Sequence, residues 1–499
     1  MKNRFFWLFF LVITVSGTIP AQNFINLTPK PRQMTTKSGE LLLPRQFVIT
    51  TGNLTTEEAA EAEKFAQIYQ TVTGTDVTVE ASAENSLIQL KKAIANVGEE
   101  GYQLDVTTTG VTLRAQSAKG FYFGFQTLKK LLPPNVMAEI RDETVTRYAL
   151  PLVSITDSPR FGYRGFMLDV ARHFFTVAEV KRMLDVMSYY KMNRFHWHLS
   201  DDQGWRVEIK KYPKLTTVGS IAPNCYVTDM KYGPYWTNRP YGPFFYTQEE
   251  LAEVVAYAKE RHIEVIPEID MPGHFVAAMA SYPEFSCWPK GNHTIWTSGG
   301  ISNDVLNVAN PAAVQFAKDI LSELMDIFPY ELIHIGGDEC PTSAWEGNAE
   351  CQARYRELGL TNYRQLQTHF IKEMADHIRA RGKKVAVWNE AITAGGADTK
   401  MIQETGATIY CWQPAAASAQ QAANLKLNNI FTPWGPYYIN RKQSTDPNEP
   451  SGAGDGTDNV EKTYNTVPVP SNVTAAQAAY YTGVQGTFWT EHVADRSYM

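Results

Sequence analysis

From Arg164 onward, short apolar runs alternate with longer segments whose apolar residues recur every three or four positions. Runs of this kind predict buried strands, and the periodic segments predict helices packed against them. Eight strands alternating with helices over about 330 residues are typical of an α/β fold, the (β/α)8 or TIM barrel. The strand candidates are GFMLDVA, RFHWHLS, IEVIPEID, LIHIGGD, KVAVWNE, ATIYCW, NIFTPW and VQGTFWTE.

A different pattern precedes the barrel. Thr55 and Glu58 have the spacing of a helix capping box, and the stretch 102–115 predicts a β-hairpin. The stretch 117–133 predicts a helix that prolines end. We therefore place a small α+β domain at residues 22–155 and the barrel at residues 156–499.

The first residues, MKNRFFWLFFLVITVSGTIPAQ, have the pattern of a secretory signal. Lys2 and Arg4 precede an apolar stretch, residues 5–15, which is shorter than the roughly 20 residues that a membrane span needs. This predicts a signal peptide over residues 1–21 and export to the periplasm or secretion. No later stretch is long and apolar enough to cross a membrane.

Charge and cysteine content narrow the function classes. The formal net charge of −6 argues against nucleic acid as a partner, because no basic surplus exists to neutralise phosphates. The five cysteines are scattered, so an oxidising compartment would allow one or two disulfides, with at least one thiol left over.

In a TIM barrel the active site lies at the carboxyl ends of the strands. Polar or aromatic residues recur at that end of all eight predicted strands, which is hard to obtain by accident. They are Arg172, Asp201, Asp202, Asp270, His274, Asp338, Glu339, Trp388, Glu390, Trp412, the loop Tyr437–Asn440, Trp489 and Glu491.

Asp338 and Glu339 stand side by side where an apolar strand ends, directly after Gly336 and Gly337. The glycines lack side chains, so we expect a ligand to approach the backbone closely there. A neighbouring anion raises the pKa of a carboxyl group, so one member of the pair can stay protonated while the other is ionised. Glycosidic bond cleavage needs an acid beside an anion, because its transition state resembles an oxocarbenium ion.

Adjacent carboxylates reach the same wall of a pocket, whereas an enzymatic nucleophile and its acid must flank the scissile bond. The pair therefore suits a reaction in which the substrate supplies the nucleophile. A 2-acetamido carbonyl oxygen would attack the anomeric carbon and form an oxazolinium ion. Asp338 would orient the acetamido nitrogen, and Glu339 would protonate the leaving oxygen and later activate water.

The residues alone leave two other classes open. His196 and His198, with His274, His334 and Asp338, resemble the metal cluster of barrel amidohydrolases. The first two lie inside a strand rather than at its end, which favours hydrogen-bonded core histidines. A non-catalytic sugar-binding barrel would keep the tryptophans without needing the adjacent acids.

The chain resembles the family 20 glycoside hydrolases, the β-N-acetylhexosaminidases. The matching stretches are RGFMLDVARHFF, NRFHWHLSDDQGWR, PEIDMPGH, HIGGDEC, VWNE, YCW, the Tyr-x-Asn of YYIN, and FWTE. They span residues 164–491, and the small amino-terminal domain also resembles the one that commonly precedes this barrel.

The resemblance assigns roles position by position. It makes Asp338 the acetamido-orienting residue and Glu339 the general acid/base. It implies that Arg172 binds the sugar hydroxyls at positions 3 and 4, that Glu491 binds those at positions 4 and 6, and that Tyr438 binds the acetamido carbonyl. The other implied residues are Asp201 and His274, which with Asp270 hold the catalytic pair, the pocket-lining Trp388, Trp412 and Trp489, and Asn440, which stands where some relatives carry Asp.

The expected function is thus an exo-acting, retaining β-N-acetylhexosaminidase. Its substrate is a glycan with a terminal β-linked N-acetylglucosamine or N-acetylgalactosamine, and the reaction requires no metal or cofactor. The resemblance also implies a last barrel helix after FWTEHVADRSYM, and because the sequence stops at Met499 we expect that helix to be missing.

Overall fold

The computed structural model describes residues 25–93, 96–227, 235–449, 452–454 and 456–493. The predicted signal peptide and the residues after Val493 lie outside the described residues. The chain divides into two compact units, Met1–Ser158 and Pro159–Met499.

The first unit is a mixed sheet with helices. Its strands are β1 (Gln33–Leu42), β2 (Gln46–Thr50), β3 (Asp76–Glu80), β4 (Ile88–Lys92), β5 (Tyr102–Thr107), β6 (Gly110–Ala115) and β7 (Ala149–Asp157), and its helices are α1 (Thr56–Thr73), α2 (Ala118–Leu131) and α3 (Pro134–Met137). The strand order is β1-β7-β5-β6-β4-β2-β3. Strand β7 continues to Asp157, past the boundary that the sequence placed at residue 155.

Local sequence signals in this unit act as expected. Thr55 and Glu58 form the capping box of α1, in which each side chain accepts a hydrogen bond from the backbone of the other residue. Strands β5 and β6 pair as an antiparallel hairpin across a two-residue turn. Helix α2 ends before Pro133, which has no N–H to continue the hydrogen-bond ladder.

The second unit contains a closed barrel. Its barrel strands are β8 (Tyr163–Asp169), β9 (Arg194–His198), β14 (Glu264–Glu268), β15 (Leu332–His334), β16 (Lys384–Trp388), β17 (Thr408–Cys411), β18 (Asn429–Phe431) and β19 (Tyr481–Phe488), and its short outer strands are β10 (Ser200–Asp201), β11 (Gly204–Trp205), β12 (Tyr226–Val227) and β13 (Tyr235–Trp236). The eight barrel strands pair in parallel all the way round. The predicted TIM barrel after a small separate domain is confirmed.

Helices cover the outside of the barrel. They are α4 (Val177–Tyr189), α5 (Lys214–Thr217), α6 (Gln248–Lys259), α7 (Val276–Ser281), α8 (Pro311–Ile327), α9 (Ser343–Gly347), α10 (Ala349–Glu357), α11 (Arg364–Ala380), α12 (Glu390–Thr393), α13 (Thr399–Thr405), α14 (Ala415–Asn424), α15 (Val460–Asn465) and α16 (Ala475–Ala478), with a 3-10 turn at Pro283–Phe285. Amphipathic helices such as α8 and α11 turn their apolar faces to the barrel strands and bury them in one large core.

Two further features bear on the sequence expectations. All five cysteines are buried free thiols, so the disulfides that the cysteine count allowed are not formed. None of the helices in the described ranges combines the length and apolar character needed to cross a bilayer.

Candidate active site

The carboxyl ends of the barrel strands hold the predicted site residues. Arg172 follows β8, Asp201 ends β10, Asp270 and His274 follow β14, Asp338 and Glu339 follow β15, Trp388 ends β16, Trp412 follows β17, Tyr438 and Asn440 lie between β18 and β19, and Trp489 and Glu491 follow β19.

Asp338 and Glu339 occupy a tight turn beyond β15. An oxygen of each carboxyl group and a nitrogen of His274 all lie within 4.8 Å of one another. The Asp338 side chain is 10% exposed and that of Glu339 is 35% exposed, so the first is enclosed while the second reaches open space. Glu339 and His274 have φ angles of +43° and +48°, a region that costs a residue other than glycine about 1–3 kcal/mol. Strain of this kind is typical of functional sites.

The glycines before this pair have a different role from the expected one. A Cβ on Gly336 would lie 1.7 Å from Asp270 Oδ1, so its absence makes room for a protein carboxyl group. Gly337 donates its N–H to the same oxygen at 3.0 Å. The expectation that a ligand approaches the backbone is therefore wrong at Gly336, because Asp270 fills that space.

A chain of charged contacts runs from Arg172 to the catalytic pair. Arg172 Nη2 lies 2.8 Å from Asp201 Oδ2, and His274 Nδ1 lies 3.1 Å from Asp201 Oδ1. The other ring nitrogen of His274 faces Glu339 Oε2 at 3.5 Å and Asp338 Oδ2 at 4.0 Å. Burial opposes the charge on His274, but Asp201 holds the pKa of His274 well above its ordinary value. His274 is therefore an imidazolium that supports negative charge on the pair.

Asp270 and Asp338 are neighbouring buried carboxyl groups, and the pKa of each is raised. Burial and the charge of Asp338 raise the pKa of Asp270 well above its ordinary value. Burial also raises the pKa of Asp338, but His274 and a hydrogen bond with Asp270 favour its ionised form. Like charges in close contact do not both ionise, and the stronger rise in the pKa of Asp270 favours Asp270 as the protonated member and donor to Asp338. Asp338 is thus left as a hydrogen-bond acceptor.

Aromatic side chains form a continuous wall beside the acids. Trp412 stacks on Tyr438 with ring centroids 6.3 Å apart, and Trp489 lies 6.2 Å from Tyr438 and 6.0 Å from Trp388. The Arg172 guanidinium lies over the Trp489 ring at 5.0 Å. Rings arranged in this way can enclose an apolar group such as a methyl.

Glu390 was noted at its strand end but was not predicted as a site residue. Trp412 Nε1 donates to both of its carboxyl oxygens at 3.0 Å. Burial, helped by the charge of Asp338, raises the pKa of Glu390 to about 8. This contact fixes the ring plane of Trp412. The sequence Trp388-Asn389-Glu390 does not indicate that Glu390 contacts Trp412.

Glu268 was also missed, and it holds the barrel interior together. Its Oε2 lies 2.5 Å from His198 Nδ1 and 3.0 Å from His196 Nε2, and its Oε1 lies 2.9 Å from His334 Nδ1 and accepts from Trp388 Nε1 at 2.7 Å. All four partners are buried. Glu268 and Asp270 alternate on one face of the strand in PEID, and that spacing was the available signal.

The histidines that suggested a metal cluster therefore surround a carboxylate. His196, Glu268 and His334 are close enough to hold an ion, as are three further groups drawn from His198, Asp201, Asp202, Asp270, His274, Asp338 and Glu339. Glu268 lies within ion-pair distance of His196, His198 and His334, which fits the core role that their position inside the strands favoured. The same arrangement offers proton transfer and charge support next to an aromatic pocket.

We expect Glu268→Gln to lower the free energy of unfolding by about 3–5 kcal/mol, because it breaks a buried ion pair. Burial opposes the charge on His198, but Glu268 and Asp201 raise the pKa of His198 to about 10. The stabilisation is therefore complete below about pH 6.5, the unfolded value, and is lost as the pH rises to about 10. Thermal unfolding should show the largest deficit near pH 6. Glu264→Gln, at the half-buried start of the same strand, is the control, and a deficit that does not change with pH would contradict the account.

Asn440 and Glu491 each have a buried oxygen atom without a hydrogen-bond partner in the described part of the chain, and Asp270 and Asp338 do as well. Asn440 Oδ1 and Glu491 Oε2 are buried and have no hydrogen-bond partner among the described residues. Burial raises the pKa of Glu491, and the Arg172 charge opposes that shift. Buried polar atoms without a partner can form hydrogen bonds with a bound ligand.

Comparisons with known proteins agree with this geometry. Residues 161–499 match the family described as glycosyl hydrolase family 20, catalytic domain, and residues 25–158 match domain 2 of the same family. A β-hexosaminidase of Porphyromonas gingivalis is 39% identical over 79% of this chain and 48% of its own length. A β-hexosaminidase of Vibrio furnissii is 33% identical over 95% of this chain and 74% of its own length.

A solved structure gives the same picture. The exo-β-N-acetylglucosaminidase of Vibrio harveyi, crystallised with N-acetylglucosamine, superposes with a TM-score of 0.80 at 32% identity, over 94% of this chain and 70% of that one. The chain spans about half the length of the Porphyromonas gingivalis relative.

Proposed function

Since the chain belongs to glycosyl hydrolase family 20, we propose that it is an exo-acting, retaining β-N-acetylhexosaminidase. Its substrate would be a glycan with a terminal β-linked N-acetylglucosamine or N-acetylgalactosamine. The observation that carries the proposal is the pairing of Asp338 and Glu339 in one turn, with separate supports for the two carboxyl groups.

These separate supports favour a division of labour. Asp338 is enclosed and accepts a hydrogen bond from Asp270, so it can accept another from the acetamido N–H. Glu339 is more exposed and contacts the His274 imidazolium, so it can give a proton to the leaving oxygen and remain as an anion. The acetamido carbonyl oxygen would attack the anomeric carbon and form an oxazolinium ion. Water activated by Glu339 would open that ion, and two inversions give overall retention.

The remaining residues fit substrate binding. Trp412, Tyr438 and Trp489 would enclose the acetamido methyl, and the Tyr438 hydroxyl would bind the acetamido carbonyl. Arg172 and Glu491 would bind ring hydroxyls, as a planar guanidinium and a carboxylate do well. Trp388 donates to Glu268, so it would support the pocket from behind.

The proposal is tested by comparing aryl β-N-acetylglucosaminide with the matching aryl β-glucoside. Only the first carries the acetamido group that Asp338 and the aromatic wall would hold, so we expect kcat/KM to favour it by at least about 1000-fold. A mere sugar-binding barrel would hydrolyse neither substrate. Equal rates, or preference for the glucoside, would refute the proposal.

We also propose that the protein is exported. The support is the charged residues Lys2 and Arg4 ahead of the apolar stretch 5–15, a part of the chain outside the described residues.

A further inference from the structure

A small cavity opens beside Arg172 and Glu491. Gln203, Asn224, Tyr241 and Trp296 are among the other residues that line it, and its volume is about 20 Å³. A cavity needs roughly 10–15 Å³ to hold a water molecule, so this one admits a single water or hydroxyl group and excludes a second sugar ring.

Three buried polar atoms in the lining lack hydrogen-bond partners within the described ranges. They are Asn224 Oδ1, Trp296 Nε1 and Glu491 Oε2. An unsatisfied buried polar group is destabilising, and the three residues that carry these atoms line the same small cavity. Elsewhere in the same loops comparable groups are satisfied, for example Trp236 Nε1, which donates to the Thr297 carbonyl at 2.7 Å. The shared place of the three residues in the lining points to a ligand group.

The cavity is coupled to the predicted sugar-binding residues. Arg172 Nε donates to Gln203 Oε1 at 2.9 Å, and Gln203 Nε2 donates to the Ser298 carbonyl at 3.1 Å. The backbone N–H of Trp296 donates to the Asp202 carbonyl at 3.2 Å. The loop that carries Trp296 is therefore held against the same segment that contains Asp201.

The lining selects a neutral group. The indole N–H only donates, while the Glu491 carboxylate accepts, and a hydroxyl group can satisfy both. The Arg172 charge already faces Asp169 at 3.4 Å and Asp201 at 2.8 Å. With Glu491 also present, a sulfate or phosphate would meet a surplus of negative charge.

We propose that Trp296 and Asn224 are specificity residues that bind the 4-hydroxyl of the terminal sugar. The proposal rests on the proposed function, in which Arg172 binds the hydroxyls at positions 3 and 4 and Glu491 those at positions 4 and 6. The 4-hydroxyl is the one group that both Arg172 and Glu491 would bind, and both residues line the cavity. The Trp296 N–H donates to the 4-hydroxyl oxygen, and the hydroxyl proton is accepted by Asn224 or Glu491.

The test compares Trp296→Phe with the wild type on an aryl β-N-acetylglucosaminide, its 4-epimer and its 4-deoxy analogue. One neutral hydrogen bond corresponds to roughly 3- to 10-fold in kcat/KM. Of the two 4-epimers, we expect the variant to lose this factor in kcat/KM on the one that the wild type cleaves faster. Its kcat/KM on the 4-deoxy substrate should equal that of the wild type. Asn224→Ala should act in the same direction.

Trp236→Phe is the matched control, because Trp236 does not line the cavity and its N–H already donates to the Thr297 carbonyl. We expect that variant to affect the 4-hydroxy and 4-deoxy substrates equally. An equal response to Trp296→Phe, or none at all, would overturn the inference while leaving the hydrolase intact. A wild type that cleaves no N-acetylhexosaminide would instead refute the proposed function.

Discussion

Glu339→Gln should lower kcat on a disaccharide substrate by roughly 100- to 10,000-fold, the range that general acid catalysis supplies. A sugar alkoxide is a poor leaving group and needs a proton from Glu339 as the bond breaks. A dinitrophenolate leaves without one, so the loss in the bond-breaking step should be much smaller on the dinitrophenyl glycoside. Glutamine keeps the size of the side chain and its place beside His274. A loss of kcat that depends on the leaving group would therefore identify Glu339 as the general acid.

The measurement is steady-state kinetics of both enzymes on the two substrates, with a burst experiment to separate glycosylation from hydrolysis of the intermediate. Glu346→Gln, an exposed glutamate in α9, is the control and should behave as the wild type. Equal losses on both substrates in the bond-breaking step would assign Glu339 a structural role and remove the acid from the mechanism.

The barrel could be predicted from sequence because its elements are locally encoded. Each of the eight apolar runs overlaps one barrel strand, and caps such as Thr247 with Glu250 mark where a helix begins. Positions at the carboxyl end of a strand follow from topology, so the ring of candidates from Arg172 to Glu491 needed no side-chain geometry.

What the sequence could not supply was which side chains meet across the barrel. Glu268 is one acid within a strand, and its contact with three histidines depends on the registers of β9, β14 and β15. The same limit explains the error at Gly336, where the space left by the missing side chain is taken by Asp270, 66 positions earlier in the chain. The sequence pointed to proton sharing within the pair Asp338 and Glu339, and it gave no sign that burial and the charge of Asp338 raise the pKa of Asp270.

The raised pKa of Asp270 leads to a comparison between two isosteric substitutions. Asp338→Asn removes the negative charge that would accept the acetamido N–H, so we expect hydrolysis of N-acetyl substrates to fall by roughly 100- to 10,000-fold. Asp270→Asn replaces one neutral group by another. Its amide can still accept from the Gly337 N–H and donate to Asp338, so the loss should be at least tenfold smaller.

A series of substrates with progressively fluorinated N-acyl groups tests whether Asp338→Asn and Asp270→Asn differ in their effect on attack by the acetamido oxygen. Fluorine weakens the carbonyl oxygen as a nucleophile, so wild-type kcat should fall steeply along the series if the substrate attacks its own anomeric carbon. The Asp270→Asn enzyme should keep that slope, since Asp338 remains charged. Asp338→Asn should flatten it, because a misdirected acyl group no longer sets the rate. A flat series in the wild type, or a covalent ester between sugar and protein, would mean that a side chain is the nucleophile, and the two neighbouring acids would then need other roles.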